Sequence, residues 1–208
     1  MSRVIRDASD LAEGAAHLAR ICPVWARTLP LLGDLPLRRW DEGFGSIRDA
    51  VVSQQISTSA AAAILRRLTE AGLGDEAGIR AASDEALRAA GLSRPKARYL
   101  RGIAEAGVDW PGLRDLDDEA AIARLVALPG IGRWTAEIYL KFALGRADVL
   151  ASADLALAEA ARVLYDLPAR PSPKALVALA EPWRPWRAVA ARGLWAYYRY
   201  AKGREGIR

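Results

Sequence analysis

A Pro-Gly-Ile-Gly turn and a downstream aspartate are the chemically most informative parts of this chain. Residues 128–136 read Leu-Pro-Gly-Ile-Gly-Arg-Trp-Thr-Ala, and Asp154 lies eighteen residues past the end of that run. Pro129 cannot continue the helix that Leu128 closes. Gly130 and Gly132 admit positive φ and leave the backbone uncovered. Arg133 and Trp134 then open another helix, whose first N–H groups lack intrahelical partners and sit at the positive end of the dipole. A phosphate can rest on such a turn, through Gly130, Ile131, Gly132, Arg133 and Thr135, without any base being read. The Asp154 carboxylate has two uses. It can cap the helix it begins, or it can hold a fixed negative charge beside a reaction that builds positive charge. The residues alone leave both open.

The elements that must carry these groups read as helices nearly throughout. Gly45–Glu70, Ser83–Ala90, Asp117–Leu128, Trp134–Leu144, Asp154–Tyr165 and Pro185–Ala201 are rich in Ala, Leu, Arg and Glu, with apolar residues at helical spacing. Stops fall at Gly33, Gly72–Gly74, Gly91, Gly130–Gly132, Gly145 and the Pro168–Pro173 cluster. Only Asp148-Val149-Leu150 hints at a strand. The pattern predicts an all-α protein of roughly ten short helices, without internal repeats, and a polar tail from Lys202 to Arg208 that frays.

The 208 residues are 52% hydrophobic, enough for a well-buried core. The net charge of +5 is compatible with a polyanionic partner. Of 30 basic residues only Lys96, Lys141, Lys174 and Lys202 are lysine, so amine chemistry has few candidates. Cys22 is the single cysteine, which excludes disulfides, cysteine zinc sites and cysteine-ligated iron–sulfur clusters within the chain. The single histidine, His17, falls on a helical pattern with Leu11, Leu18 and Ile21 and reads as a packing or surface residue. The N-terminus lacks an apolar signal core, and no segment has the apolar length of a membrane span. The expectation is a soluble, cytoplasmic protein.

Four stretches in order resemble the helix-hairpin-helix DNA glycosylase superfamily, and in particular its 3-methyladenine branch. They are the hairpin itself, Val51-Val52-Ser53-Gln54-Gln55-Ile56-Ser57, the Gly91-Leu92-Ser93 to Lys96-Ala97 segment, and Trp183-Arg184-Pro185-Trp186-Arg187 through Leu194-Trp195. The likeness runs from about residue 40 to 200. It implies a two-lobed helical fold without an N-terminal β lobe. Residues 1–40 would then be a helical segment packed on a glycosylase domain at 41–201, with the helix-hairpin-helix at about 120–145 and a tail at 202–208.

The resemblance also implies roles. Asp154 takes the place of the family's essential aspartate, after the Asp148-Val149-Leu150 stretch, and Asp148 is left a structural role. Where the family often has proline in this loop, the chain reads Ala151-Ser152-Ala153. Trp134 and Trp195 match aromatic residues lining the base pocket, where a cationic alkylated purine is drawn to an aromatic face. Ile138 stands where a relative has an aromatic. Gln55, at the start of the Gln-Gln helix with Gln54 beside it, matches the wedge that fills the space left by a flipped base. Trp134 also occupies the position of the Schiff-base lysine in bifunctional members. Lys141 is seven residues on, about 10 Å along the helix axis. The implied activity is monofunctional hydrolysis of the N-glycosidic bond of 3-methyladenine and 7-methylguanine in duplex DNA, by a monomer without lyase activity. No iron–sulfur cluster or zinc is implied, but a Na⁺ or K⁺ ion on hairpin carbonyls, at Leu128 and Ile131, is.

Two rivals remain. One is the same scaffold with another specificity, for hypoxanthine, uracil or mismatched adenine; the Gln54-Gln55 and Trp-Arg-Pro-Trp stretches weigh against it. The other is a non-catalytic helix-hairpin-helix DNA-binding module, which would have no use for an acid near DNA phosphate.

Overall fold

In the computed structural model residues 3–203 are described. They form twelve α-helices: α1 (Ala8–Ile21), α2 (Pro23–Leu32), α3 (Phe44–Ser53), α4 (Thr58–Glu70), α5 (Glu76–Ala81), α6 (Asp84–Ala89), α7 (Arg94–Glu105), α8 (Asp118–Val126), α9 (Arg133–Phe142), α10 (Leu155–Leu164), α11 (Pro173–Ala180) and α12 (Arg187–Lys202). Short 3₁₀ turns occupy Pro111–Arg114 and Glu181–Trp183. Among the described residues there is no strand, and Asp148–Leu150 is irregular; a single isolated bridge pairs Val4 with Arg146. The all-α expectation holds, with more and shorter helices than the pattern suggested. Lys202 closes α12, and residues 204–208 of the expected tail lie outside the described residues.

Most helices start on a side chain that accepts a backbone N–H. Asp7, Ser57, Asp75, Ser83, Ser93, Asp117, Asp154 and Ser172 cap α1, α4, α5, α6, α7, α8, α10 and α11. Each such cap satisfies a donor the helix itself cannot, and is worth about 1 kcal/mol.

The chain divides into two compact units, with the boundary inside α9, between Tyr139 and Leu140. The first unit joins the residues up to Arg39 with those from Leu140 onward. Its core gathers Leu11, Leu18, Trp25, Leu157, Leu176, Trp183, Trp186, Val189 and Leu194. Helix α12 runs through this core on small residues, against α10, α1 and α2. At Gly14 of α1 a Cβ would stand 2.6 Å from Val189 and 2.8 Å from the Trp186 ring, so only glycine permits this approach. Asp148 has the structural role expected of it: Arg187 Nε donates to its Oδ1 at 2.8 Å, and Arg184 Nη1 to its Oδ2 at 2.8 Å. His17 is structural too, placed between the Arg20 guanidinium at 3.0 Å and the Arg184 carbonyl at 3.2 Å.

The second unit is Trp40–Tyr139. Helix α7 lies against α3, α5 and α6, and α3 against α4. Ile47, Val51, Val52, Leu68, Ile79, Leu87, Leu100 and Ile103 are all buried.

Candidate functional site

The hairpin belongs to the second unit. Helix α8 ends at Val126, and the chain turns through Leu128–Gly132 before α9 begins at Arg133. The Ile131 N–H donates to the Leu128 carbonyl at 3.2 Å, and the Ala136 N–H to the Gly132 carbonyl at 3.1 Å, which makes Gly132 the residue entering α9. Leu128, Ile131 and Thr135 turn their side chains into the protein, whereas Gly132 and Arg133 are exposed. Gly130 has φ +77°, and a Cβ there would lie 2.4 Å from the Tyr99 ring. A Cβ on Gly132 would meet nothing within 4 Å. The first glycine shapes the turn; the second keeps its outer face open for an anion at a helix N-terminus.

Arg133 does not stand over that face as a lone cation. Its guanidinium pairs with Glu119 of α8 at 2.6 Å and with Glu137 at 3.0 Å. Hydrogen bonding to Glu119, more than its attraction to Glu137, holds its pKa above the ordinary arginine value. The pairing ties α8 to α9, so an anion at this turn would meet backbone amides rather than an unpaired guanidinium.

Gln54 and Gln55 correct the sequence expectation. The pattern from Gly45 to Glu70 reads as one helix, with Gln55 at a helix start, but the structure breaks it at Gln54–Ser57. Gln54 ends α3, and Ser57 caps α4 by accepting from the Ala60 N–H at 3.2 Å. Between them Gln55 is exposed and held at φ +59°. A non-glycine residue there costs on the order of 1 kcal/mol and persists only where its surroundings enforce it. The Gln54 side chain reaches the hairpin, its amide donating to the Gly130 carbonyl at 3.1 Å. Trp134 and Ile138 share one face of α9, four residues apart; Trp134 is 43% exposed and Ile138 buried.

Asp154, in the first unit, caps α10 and is half-buried. Its Oδ1 accepts from the Ala156 N–H at 2.8 Å and the Leu157 N–H at 3.1 Å. The capping and chemical readings of this residue are therefore compatible, since the cap fixes the carboxylate at a helix N-terminus, where negative charge is favoured. The segment leading into it is tight: Ala151 has φ +61°, and the Asp154 N–H donates back to the Ala151 carbonyl at 3.0 Å.

Lys141 is the residue the sequence reading undervalued. It is fully buried, its Nζ donating to the Leu150 carbonyl at 2.9 Å and lying 4.5 Å over the Trp195 ring. Trp195 stacks on Phe142 at 5.7 Å, and the buried Arg192 guanidinium lies 5.0 Å over Phe142. Burial first, then Arg39 and Arg38, push the Arg192 pKa down to about 10. The Trp195 ring thus already serves one ammonium of the chain itself. Its sequence signal was a lysine inside an otherwise apolar α9 stretch.

Among the described residues no group of three or more His, Cys, Asp or Glu could hold a metal ion. No helix among them is long and apolar enough to cross a membrane.

Comparison with known proteins places this geometry. Residues 49–185 match the family profile described as HhH-GPD superfamily base excision DNA repair protein. The DNA-3-methyladenine glycosylase 1 of Schizosaccharomyces pombe is 32% identical over 212 residues, covering 96% of this chain and 93% of that protein. A solved structure of the S. pombe 3-methyladenine DNA glycosylase in complex with abasic DNA aligns with a TM-score of 0.75 at 32% identity, covering 91% of this chain and 97% of that one. The crystal structure of a DNA-3-methyladenine glycosidase from Bacillus halodurans aligns with a TM-score of 0.82 at 30% identity, over 97% of this chain and 94% of that one.

Proposed function

This chain belongs to the HhH-GPD superfamily of base excision DNA repair proteins, and from that premise we propose that it is a monofunctional glycosylase releasing alkylated purines from duplex DNA. The observation that carries the reading is the Asp154 carboxylate, fixed by two amides at the start of α10. The substrate class is that named for the S. pombe relative, which matches nearly the whole chain.

The residues divide the work as follows. The amides around Gly132 hold a backbone phosphate. The alkylated nucleotide leaves the stack, and Gln55 takes its place. Trp134, the more exposed of the two candidate pocket tryptophans, offers its face to the cationic purine. Trp195, already under the Lys141 ammonium, serves as a packed wall. Alkylation has made the base a good leaving group, so the bond breaks as positive charge grows on the sugar. Asp154 stabilises that charge and orients the water that attacks. The protein acts as a monomer.

Lyase activity needs an accessible amine at the sugar. Trp134 stands at the lysine position of bifunctional members, and Lys141 is buried with its ammonium on the Leu150 carbonyl. Both observations support hydrolysis alone. A monovalent cation would be held by the carbonyls of Leu128 and Ile131, hard oxygen donors in the turn between α8 and α9. The Leu128 oxygen accepts one N–H, from Ile131, and a carbonyl has a second lone pair for an ion. Such an ion would add positive charge at the phosphate-holding turn.

Incubation with methylated duplex DNA tests the proposal. Released 3-methyladenine and 7-methylguanine are expected, with no strand cleavage and no adduct trapped by borohydride. Release of neither base removes the alkylation reading; a trapped adduct removes the monofunctional one.

A further inference from the structure

The Gly91-Leu92-Ser93 to Lys96-Ala97 stretch leads into α7, which Ser93 caps. In the structure its lysine does something specific. Lys96 Nζ donates to the Val52 carbonyl at 2.7 Å and to the Gln54 carbonyl at 2.6 Å. These oxygens belong to the C-terminal end of α3, where backbone carbonyls run out of helical partners and a cation is favoured. Burial pushes the Lys96 pKa below the ordinary lysine value, and the two carbonyls offset that loss of solvent.

The bonds converge on the residue before Gln55. The Gln54 N–H donates to Val51, its carbonyl accepts from Lys96, and its side-chain amide donates to Gly130 in the hairpin. One turn further along α7, Tyr99 packs on Gly130 so closely that no Cβ fits between them. The start of α7 therefore touches both the turn that carries Gln55 and the turn that faces phosphate. With Gln54 held on three sides, the chain enters Gln55 in a direction that its φ of +59° must accommodate.

We propose that Lys96 is a positioning residue for base extrusion: it holds the Gln54–Gln55 turn in register with the phosphate-holding hairpin. This rests on the glycosylase reading above. Without the ammonium the Gln54 and Val52 carbonyls lose their partner, and Gln55 relaxes out of its left-handed conformation. The duplex is still gripped, but Gln55 no longer enters it in the required place.

The test uses the full chain and its Lys96→Met and Lys96→Arg variants. Each is assayed in single turnover on one lesion, set either in a fully paired duplex or in a short mismatched bubble, where extrusion needs little help. A 2-aminopurine beside the lesion reports extrusion independently of excision. Expected for Lys96→Met is a loss of about tenfold or more on the paired duplex, near wild-type rates in the bubble, and reduced 2-aminopurine fluorescence on binding. Lys96→Arg, which can still donate to both carbonyls, recovers part of the loss. Adding Lys96→Met to Gln55→Ala lowers the duplex rate no further. An equal loss on both substrates, no loss on the duplex, or additive loss with Gln55→Ala overturns the proposal. Wild-type protein inactive on both substrates refutes the glycosylase reading instead, and the fluorescence comparison still decides the role of Lys96.

Discussion

The ammonium of Lys141 lies 4.5 Å over the Trp195 ring while donating to the Leu150 carbonyl at 2.9 Å. One buried charge thus braces the Trp195 ring and the segment four residues ahead of Asp154. Lys141→Ala removes the hydrogen bond and the packing together, and is expected to cost about 2–5 kcal/mol, the range of a large buried truncation. Lys141→Met fills much of the volume and removes the cost of burying a charge, so it should unfold at lower denaturant than wild type but higher than Lys141→Ala. Both variants should release alkylated base more slowly, because Leu150 leads directly into the Ala151–Asp154 turn. Chemical denaturation and single-turnover release read the two effects; a Lys141→Met variant with wild-type release shows that Lys141 has no part in placing Asp154.

Asp154→Asn separates capping from chemistry. The amide oxygen can still accept from Ala156 and Leu157, so stability should change by less than the roughly 1 kcal/mol of a lost cap. The negative charge is gone, and release should fall by on the order of 10²–10³-fold, as when a transition-state stabiliser is deleted. Asp154→Ala should lose the same activity and the cap besides. Full activity in Asp154→Asn moves the catalytic charge elsewhere.

What was legible in the sequence is local, and what was not is long-range. Ser83, Asp117 and Asp154 mark helix starts because a short polar side chain meets N–H groups two or three residues away. The break at Gln54–Ser57 was hidden. Apolar and alanine residues keep helical spacing across it, and what opens it are bonds from Lys96 and to Gly130, 42 and 76 residues distant from Gln54. Arg133 opens α9 in the sequence pattern, but nothing in that pattern gives its pairing with Glu119, across the hairpin. Lys141 falls in the Trp134–Leu144 helical pattern and Arg192 in Pro185–Ala201; the carbonyls and rings that allow them to be buried lie outside those stretches. The capping position of Asp154 can be read from its own neighbours, but the catalytic role proposed for it rests on the resemblance alone.

Acid should weaken the first unit through Glu159. This carboxylate pairs with Arg162 at 2.9 Å, Arg170 at 3.3 Å and Lys202 at 3.9 Å. Hydrogen bonding from Arg162, chiefly, lowers its pKa from the ordinary 4.5 to about 2. A carboxylate depressed in the folded state contributes stability that is complete above its ordinary value and is lost as pH falls through its folded one. The melting difference between wild type and Glu159→Gln should thus be constant above pH 4.5 and vanish as pH approaches 2. A difference unchanged over that interval would falsify the assignment.

The two hairpin glycines should fail in different ways. Gly130→Ala places a methyl at φ +77° and 2.4 Å from the Tyr99 ring. It should cost about 1–3 kcal/mol through strain and overpacking, and weaken DNA binding as a consequence. Gly132→Ala meets nothing within 4 Å, so the fold should be unchanged within about 0.5 kcal/mol. Its methyl nevertheless stands on the open face where, in the proposed binding mode, a phosphate approaches the amides. Affinity for duplex DNA containing an abasic site should drop about tenfold, equivalent to ~1.4 kcal/mol. Because the proposed contact is to a phosphate, the drop should be alike for every flanking sequence at a given salt concentration. Binding titrations at matched ionic strength, run beside thermal melts, decide it: a Gly132→Ala variant that melts and binds like wild type places the phosphate somewhere other than this turn.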